Sequence, residues 1–169
     1  VYNREDVVSR SIKSVLNQDY SNWELLICDD NSSDNSIQVI EEYSQSDDRI
    51  KLSVLNKNVG AAEARNTVLR VSNGKYVAFL DSDDEWKPNK LNKQVEVMEA
   101  CTSEIGLCFC GAEIIKNEVR RSFDIPKKTW EEETFLRFIE GTLHYTTSGI
   151  MIRRNCFQSG QLRSISPNP

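Results

Sequence analysis

The chain has 169 residues and a formal net charge of -5 at pH 7, with 28% charged and 38% hydrophobic residues. These values are typical of one acidic domain, and a chain of this length buries roughly two-thirds of its unfolded surface, so it can fold without disulfides or a structural metal. The negative charge and scattered basic residues argue against nucleic acid as a partner. Five cysteines without a C-x-x-C pair indicate neither a disulfide framework nor a zinc ribbon and favour the cytoplasm.

The first hundred residues alternate helix-like and strand-like segments. Apolar residues at helical spacing predict helices, and short apolar runs predict buried strands. In chain order we expect a helix over residues 5–17, a strand over 23–28, a helix capped by Ser33 or Asp34, a strand over 50–55, a helix over 61–71, a strand over 75–80 and a helix from Pro88. This alternation predicts β-α-β units, and therefore an α/β fold with a mostly parallel sheet.

The pattern is weaker after Cys101. Residues 105–112 and 148–153 are predicted strands, and a capping box at residues 129–132 predicts a helix through residue 139. The sequence contains no repeat and no linker between two domains. We therefore expect one domain over residues 1–169.

Acidic residues follow two of the predicted strands. Asp29 and Asp30 follow the strand over residues 23–28, and residues 81–84 (Asp-Ser-Asp-Asp) follow the strand over 75–80. Ligands of open α/β sheets bind beyond the carboxyl ends of the strands. Carboxylates there repel phosphates unless a divalent cation lies between them, so the pattern favours a metal-bridged nucleotide. The alternative is a solvated turn, because Asp and Ser are common turn residues.

Two further features favour a nucleotide site over a turn. Tyr2 and Asn3 stand where a first strand would end, and Gly60 precedes a predicted helix. An aromatic ring at that edge can stack on a base, and a nearby carboxylate can accept hydrogen bonds from a base or ribose. The alternative for Tyr2 is simple packing.

In order and spacing these motifs resemble those of glycosyltransferase family 2. The matching segments are Val1–Asn3, Ser14–Gln18, Glu24–Asp34, Asn58–Asn66, Gly74–Trp86, Pro88 and Lys90–Leu91. The likeness is strong over residues 1–94 and loose over the remainder. It implies a GT-A fold, which is a Rossmann-like α/β/α sandwich, with a nucleotide-sugar-binding half over residues 1–100 and a partial acceptor-binding half over 101–169.

The resemblance also implies an activity and a set of site residues. A family 2 enzyme transfers a sugar, with inversion, from a nucleotide-diphosphate donor to a hydroxyl acceptor; here a UDP- or dTDP-sugar and a glycan or lipid-linked saccharide of the cell envelope are expected. A divalent metal, Mg or Mn, is the implied cofactor, with Asp81 and Asp83 of the DxD motif as its ligands. The residues implied to bind the nucleotide sugar are Tyr2, Asn3, Asp30, Gly60, Arg65, Ser82 and Asp83.

The chain departs from the family pattern at both ends. The family's first strand precedes its Tyr-Asn, whereas only Val1 stands there, and the chain begins without Met. The family's general base follows the segment resembling residues 148–154, but no Asp or Glu follows Arg154. We therefore expect a fragment that lacks the first strand and the C-terminal part, and no general base is assigned.

Two alternatives remain open from the residues. One is a nucleotide-sugar-binding module without turnover. The other is a phospho-acceptor signalling domain, which also groups acidic residues around Mg but needs a lysine at a later strand end. No apolar run approaches the ~20 residues of a membrane-spanning helix, so we expect a cytoplasmic protein, and the resemblance extends this expectation to peripheral association with the inner face of the membrane.

Overall fold

A computed structural model describes residues 1–103, 105–116, 119–123 and 146–157. The helix predicted over residues 129–139 lies outside this part of the chain. The described helices are α1 (Val8–Leu16), α2 (Ser36–Ser46), α3 (Ala61–Leu69) and α4 (Lys90–Ala100). The described strands are β1 (Leu25–Asp29), β2 (Ile50–Val54), β3 (Tyr76–Ala78), β4 (Leu107–Phe109), β5 (Ala112–Lys116), β6 (Val119–Phe123) and β7 (Ile150–Arg153).

The first unit of the fold is the parallel pair β1 and β2 with helices α1 and α2 against it. The register runs from Leu25 opposite Ile50 to Asp29 opposite Val54. Each of the helices α1 and α2 has one apolar stripe, and the side chains of these stripes pack against the apolar side chains of the two strands. The buried members of this first cluster are Val8, Ile12, Ile27, Ile40 and Ile50.

Val1 lies beside β1, on the edge that β2 does not occupy. Its amino group donates to the Cys28 carbonyl (2.6 Å), and its carbonyl accepts from the Asp30 amide (2.8 Å). This is the hydrogen-bond pattern of a parallel neighbour. The residue that stands before Tyr2 therefore occupies a strand position next to β1, in agreement with the expectation that Tyr2 and Asn3 follow a strand.

The second unit consists of β3, β7 and β4 with helix α4. Strand β7 lies between β3 and β4 and is antiparallel to both, an arrangement that the sequence does not indicate. Leu91 and Met98 of α4 pack with Met151 of β7 as a second cluster. Arg153 of β7 donates to the carbonyls of Met98 and Ile105, and it thereby satisfies the Met98 carbonyl in the last turn of α4, where carbonyls lack partners within the helix.

The strand predicted over residues 105–112 is wrong in its extent. Strand β4 ends at Phe109, where the Cys110 amide donates to the Gly149 carbonyl (3.0 Å). Strand β5 then begins at Ala112 and pairs with β6 in an antiparallel hairpin. At this break the pairing partner changes from β7 to β6. The apolar pattern of the sequence continues across the break, so the pattern does not reveal where one strand ends and the next begins.

Candidate functional site

A cavity of about 450 Å³ lies along β1 and extends to residues 80–83, which follow β3. Its apolar wall comes from α1, β1 and α3. Its polar lining includes Tyr2, Arg4, Ser11, Asp30, Arg65, Asp81, Ser82 and Asp83. The structure thus brings together most of the residues that the sequence predicts at the site, although they come from four separate segments of the chain.

Asp30 anchors the turn that leads into α3. Its two carboxylate oxygens accept the amides of Val59 (2.7 Å) and Gly60 (2.8 Å), and the residue is only 4% exposed. Gly60 has φ +87° and ψ 158°, a conformation that residues with a Cβ rarely adopt. Since each carboxylate oxygen has a second lone pair, Asp30 can hold this turn and still accept a hydrogen bond at the cavity wall.

Asn3 fixes the loop after β1. Its φ is +49°, its amide donates to the Ser32 hydroxyl (2.9 Å), and its side-chain oxygen accepts the Ser33 amide (2.9 Å). The fully buried Asp29 accepts both the amide and the hydroxyl of Ser32. Asn3 therefore stabilises the loop through hydrogen bonds. Its neighbour Tyr2 lines the cavity and is 47% exposed.

Two arginines face the two carboxylates of the DxD motif. Arg65 of α3 forms an ion pair and a hydrogen bond with Asp81. An Arg4 nitrogen lies 4.0 Å from an Asp83 oxygen, and the Asp83 side chain is 57% exposed. The cavity therefore presents two cations beside two carboxylates, and Asp83 is the more accessible of the two acids.

The turn that carries the DxD motif is held from two sides. The Asp84 amide donates to the Asp81 carbonyl (3.0 Å), which closes the turn. On one side, Ser11 of α1 donates to the Asp84 carbonyl (2.7 Å). On the other side, the Ser148 hydroxyl accepts the Asp81 amide (2.9 Å) and donates to the Asp84 carboxylate (2.6 Å).

A buried lysine lies behind this turn. Lys90, at the start of α4, is 6% exposed, and its ammonium is 3.8 Å from the centre of the Trp86 ring. Burial lowers the pKa of Lys90 from 10.5 to about 8. Trp86 in turn donates its indole N–H to the Ser148 carbonyl (2.8 Å). The loop after the DxD motif is therefore connected to both α4 and β7.

The carboxylates of the DxD motif suit a cation that is shared with a ligand. In the described part of the chain, no group of three or more His, Cys, Asp or Glu residues is placed to hold a metal ion. Mg²⁺ typically takes one or two carboxylates and completes its shell with water and substrate phosphates. Asp83, which is exposed at the cavity, fits that mode, whereas a closed site made of protein ligands alone is not formed by the described residues.

Three residues of this site were missed by reasoning from sequence. Arg4 follows Tyr2 and Asn3 directly, so its position beside a predicted site was the available signal. Ser11 and Ser148 carry no such signal, because they contact the turn from α1 and from the segment before β7, at separations of 73 and 64 residues from Asp84. Gly60 and Asn3, which the sequence placed among the binding residues, shape the loops next to the cavity.

Comparisons with known proteins identify a family. The sequence model of the family described as "Glycosyl transferase family 2" matches residues 1–160. The UDP-Glc:alpha-D-GlcNAc-diphosphoundecaprenol beta-1,3-glucosyltransferase WfgD of Escherichia coli is 47% identical over 128 residues, which are 75% of this chain and 49% of WfgD. The putative teichuronic acid biosynthesis glycosyltransferase TuaG of Bacillus subtilis is 46% identical over 97 residues, 57% of this chain and 38% of TuaG. The chain thus spans at most about half the length of these relatives.

A solved structure confirms the fold. The crystal structure of residues 1–349 of TarS from S. aureus superposes with a TM-score of 0.72 at 25% sequence identity, over 94% of this chain and 46% of that 1–349 chain. This likeness confirms the predicted α/β fold of the GT-A type. Among the described residues, no helix is both long and apolar enough to cross a membrane.

Proposed function

Because the chain belongs to glycosyl transferase family 2, we propose that it binds a nucleotide-diphosphate sugar in the cavity along β1. It transfers the sugar, with inversion, to a hydroxyl group of an acceptor. The observation that carries this proposal is the convergence of Tyr2, Asp30, Arg65 and Asp83 on one cavity.

The nucleoside occupies the part of the cavity next to β1. Tyr2 offers an exposed aromatic face, on which a base can stack. Asp30 borders the same space and keeps acceptor capacity for an N–H of the base. Because Asp30 also holds the Val59–Gly60 turn, it couples the position of the base to the start of α3.

The diphosphate lies between the DxD motif and the two arginines. Asp83 would hold the divalent cation, Mg or Mn, with Asp81 and Ser82 close by; when bound, this cation stabilises the charge that develops on the leaving diphosphate. Arg65 and Arg4 already compensate the charges of Asp81 and Asp83. Both guanidinium groups can contact phosphate oxygens when the donor enters, because guanidinium pairs with phosphate as it does with carboxylate.

The relatives suggest the classes of donor and acceptor. The name of WfgD specifies a UDP-glucose donor and a lipid-linked diphosphate acceptor, and that of TuaG specifies teichuronic acid biosynthesis. By this likeness we propose a UDP-sugar as the donor and a lipid-linked saccharide as the acceptor. An acceptor of that kind places the work of the protein at the inner face of the membrane, with peripheral association.

A nucleotide series tests this proposal. UDP, dTDP, GDP and UMP are titrated calorimetrically, each in Mn²⁺ and in excess EDTA. We expect UDP to bind in Mn²⁺, and UMP to bind more weakly because it lacks the second phosphate. If a folded sample binds none of the diphosphates, the proposal is wrong for this chain.

A second assay separates a transferase from a binding module. The protein is incubated with UDP-glucose, Mn²⁺ and a short-chain lipid-linked GlcNAc-diphosphate. The UDP released and the extended lipid formed are measured by mass spectrometry. Equal amounts of UDP and extended lipid support transfer. Binding of UDP without either product supports the module without turnover. The phospho-acceptor alternative instead predicts labelling of an aspartate by acetyl phosphate, although the cation facing Asp81 is Arg65 and not a lysine.

A further inference from the structure

Ser148 is a buried side chain that joins the second half of the chain to the DxD turn. It lies in the 3-10 turn Thr147–Gly149, which leads into β7, and is 6% exposed. Strand β7 is fixed in turn by its pairing with both β3 and β4. The hydroxyl of Ser148 is therefore presented to the turn from a rigid part of the fold.

Two polar groups of Ser148 make three hydrogen bonds with the loop of residues 81–86. The hydroxyl oxygen accepts the Asp81 amide (2.9 Å) and its hydrogen is donated to an Asp84 carboxylate oxygen (2.6 Å). The backbone carbonyl accepts the Trp86 indole N–H (2.8 Å). A hydroxyl donating to a carboxylate is a charge-assisted hydrogen bond, which is about twice as strong as a neutral one.

These contacts hold both ends of the turn that presents Asp83. Asp81 and Asp84 are joined by their own backbone hydrogen bond, and Ser148 adds a second connection between them. Ser11 holds the same turn through the Asp84 carbonyl, on the other side. The direction of the Asp83 side chain depends on these hydrogen bonds, because the side chain is exposed and its carboxylate lies 4.0 Å from the Arg4 guanidinium.

We propose that Ser148 is a positioning residue for the metal-holding carboxylate Asp83, acting through Asp81 and Asp84. This inference rests on the proposed function, since it needs a cation at Asp83. Asp84 then helps to hold the turn, because its carboxylate accepts the hydrogen bond from the Ser148 hydroxyl. Ser148 itself contacts neither the nucleotide sugar nor the metal. Loss of the hydroxyl leaves the turn itself attached to α1, and the loop then contacts Ser148 only through the Trp86 indole N–H.

The test measures the Mn²⁺ concentration that gives half-maximal UDP binding, together with the melting temperature. Ser148→Ala is compared with Ser72→Ala, a matched control in which a serine that is 8% exposed loses its bond to the Leu69 carbonyl. We expect Ser148→Ala to raise the half-saturating Mn²⁺ concentration by about tenfold or more, since a hydrogen bond to a charged group is lost. Ser72→Ala lowers the melting temperature and leaves the Mn²⁺ requirement unchanged.

Two further variants keep the test decisive if Ser148→Ala folds poorly. Ser148→Thr retains the hydroxyl and is expected to restore the Mn²⁺ requirement to within about threefold of wild type. Asp84→Ala removes the acceptor and is expected to match Ser148→Ala. The double variant should need no more Mn²⁺ than either single one, because both changes break the same connection.

The outcomes separate this inference from the proposed function. If wild-type UDP binding does not depend on Mn²⁺, the metal-dependent function fails and the positioning role fails with it. If wild type needs Mn²⁺ but Ser148→Ala and Asp84→Ala shift only the melting temperature, as Ser72→Ala does, the proposed function stands and the positioning role is wrong.

Discussion

Lys90 carries a positive charge that the fold removes almost entirely from water. Within the described residues its ammonium has no hydrogen-bond partner, and its contact with the Trp86 ring compensates the loss of hydration only in part. Burial accordingly lowers its pKa to about 8. A buried and unpaired cation is a cost to folding, because the charged form is favoured in the unfolded chain.

Substitution of Lys90 by Met is therefore expected to stabilise the protein. Below pH 8 both states are protonated and the folded state bears the full cost; between pH 8 and 10.5 the folded state loses its proton first, so stability rises with pH. Lys90→Met should raise the free energy of unfolding by about 1–3 kcal/mol at pH 7, and the gain should shrink as the pH approaches 10.5. Urea denaturation at pH 7, 8.5 and 9.5 measures this change.

The control for this substitution is Lys93→Met, one turn along α4 on its exposed side. It removes the same charge without relieving burial, so its effect on stability should stay within about 0.5 kcal/mol. A Lys90→Met protein that is less stable than wild type at pH 7 would show that the contact with Trp86 outweighs the burial cost.

At the scale of residues, the sequence predicts the side chains that line the cavity better than it predicts the side chains that hold the cavity's loops. Tyr2, Asp30, Arg65, Ser82 and Asp83 were predicted at the site, and all of them line the cavity. Their roles in binding remain predictions. Ser11 and Ser148 could not be found, because a serine at a helix or strand position has no distinguishing pattern and its contact depends on how distant segments fold together.

At the scale of elements, the turn before α3 depends on a single glycine. Gly60 combines φ +87° with ψ 158°, and its amide reaches Asp30 in that conformation. Gly60→Ala leaves steric room for the added Cβ, but it strains the backbone. We expect a loss of about 1–3 kcal/mol in the free energy of unfolding.

The same substitution should also weaken UDP binding, because the strained turn shifts Asp30. Val59→Ala is the matched control in this turn; Val59 is 37% exposed and its amide, which Asp30 accepts, is retained. Chemical denaturation and UDP titration of both variants test this account. Equal effects of the two substitutions would contradict a specific role of the glycine conformation.

At the scale of elements, helices and strands were predicted correctly where one apolar pattern packs against one surface of the fold. The helices and the strands of the first hundred residues were predicted because each apolar stripe faces a single packed surface, as Ile40 of α2 and Ile50 of β2 do in the first cluster. The strand over residues 105–112 was wrong because one continuous apolar pattern is shared between β7 and the hairpin partner β6. A change of the pairing strand does not alter the local apolar pattern of the sequence.

At the scale of the whole molecule, the two hydrophobic clusters are joined by side chains and by backbone. Trp23 packs against both clusters, and Gln18 donates to the Lys87 carbonyl (2.9 Å) and accepts the Leu91 amide (3.0 Å). Because α1 and α4 are connected in this way, neither cluster is expected to unfold alone. The single domain predicted from the sequence should thus unfold in one cooperative step.

Substitutions in each cluster test this expectation. Ile40→Ala and Met98→Ala each truncate a side chain that is 0% exposed, and each should cost about 2–5 kcal/mol. Both should shift the same transition, with circular dichroism and tryptophan fluorescence giving one midpoint. Two separate midpoints, each moved by only one substitution, would show that the halves fold independently.

The most direct test of a metal-dependent nucleotide-sugar site is the calorimetric titration of UDP into wild type, Asp83→Ala and Asp48→Ala, in Mn²⁺ and in EDTA. Asp48 is an exposed aspartate outside the cavity lining and serves as the matched control. We predict binding to wild type and Asp48→Ala in Mn²⁺ only, and a loss of about tenfold or more in affinity for Asp83→Ala. Binding that is unchanged in Asp83→Ala, or unaffected by EDTA, would contradict the assignment of this site.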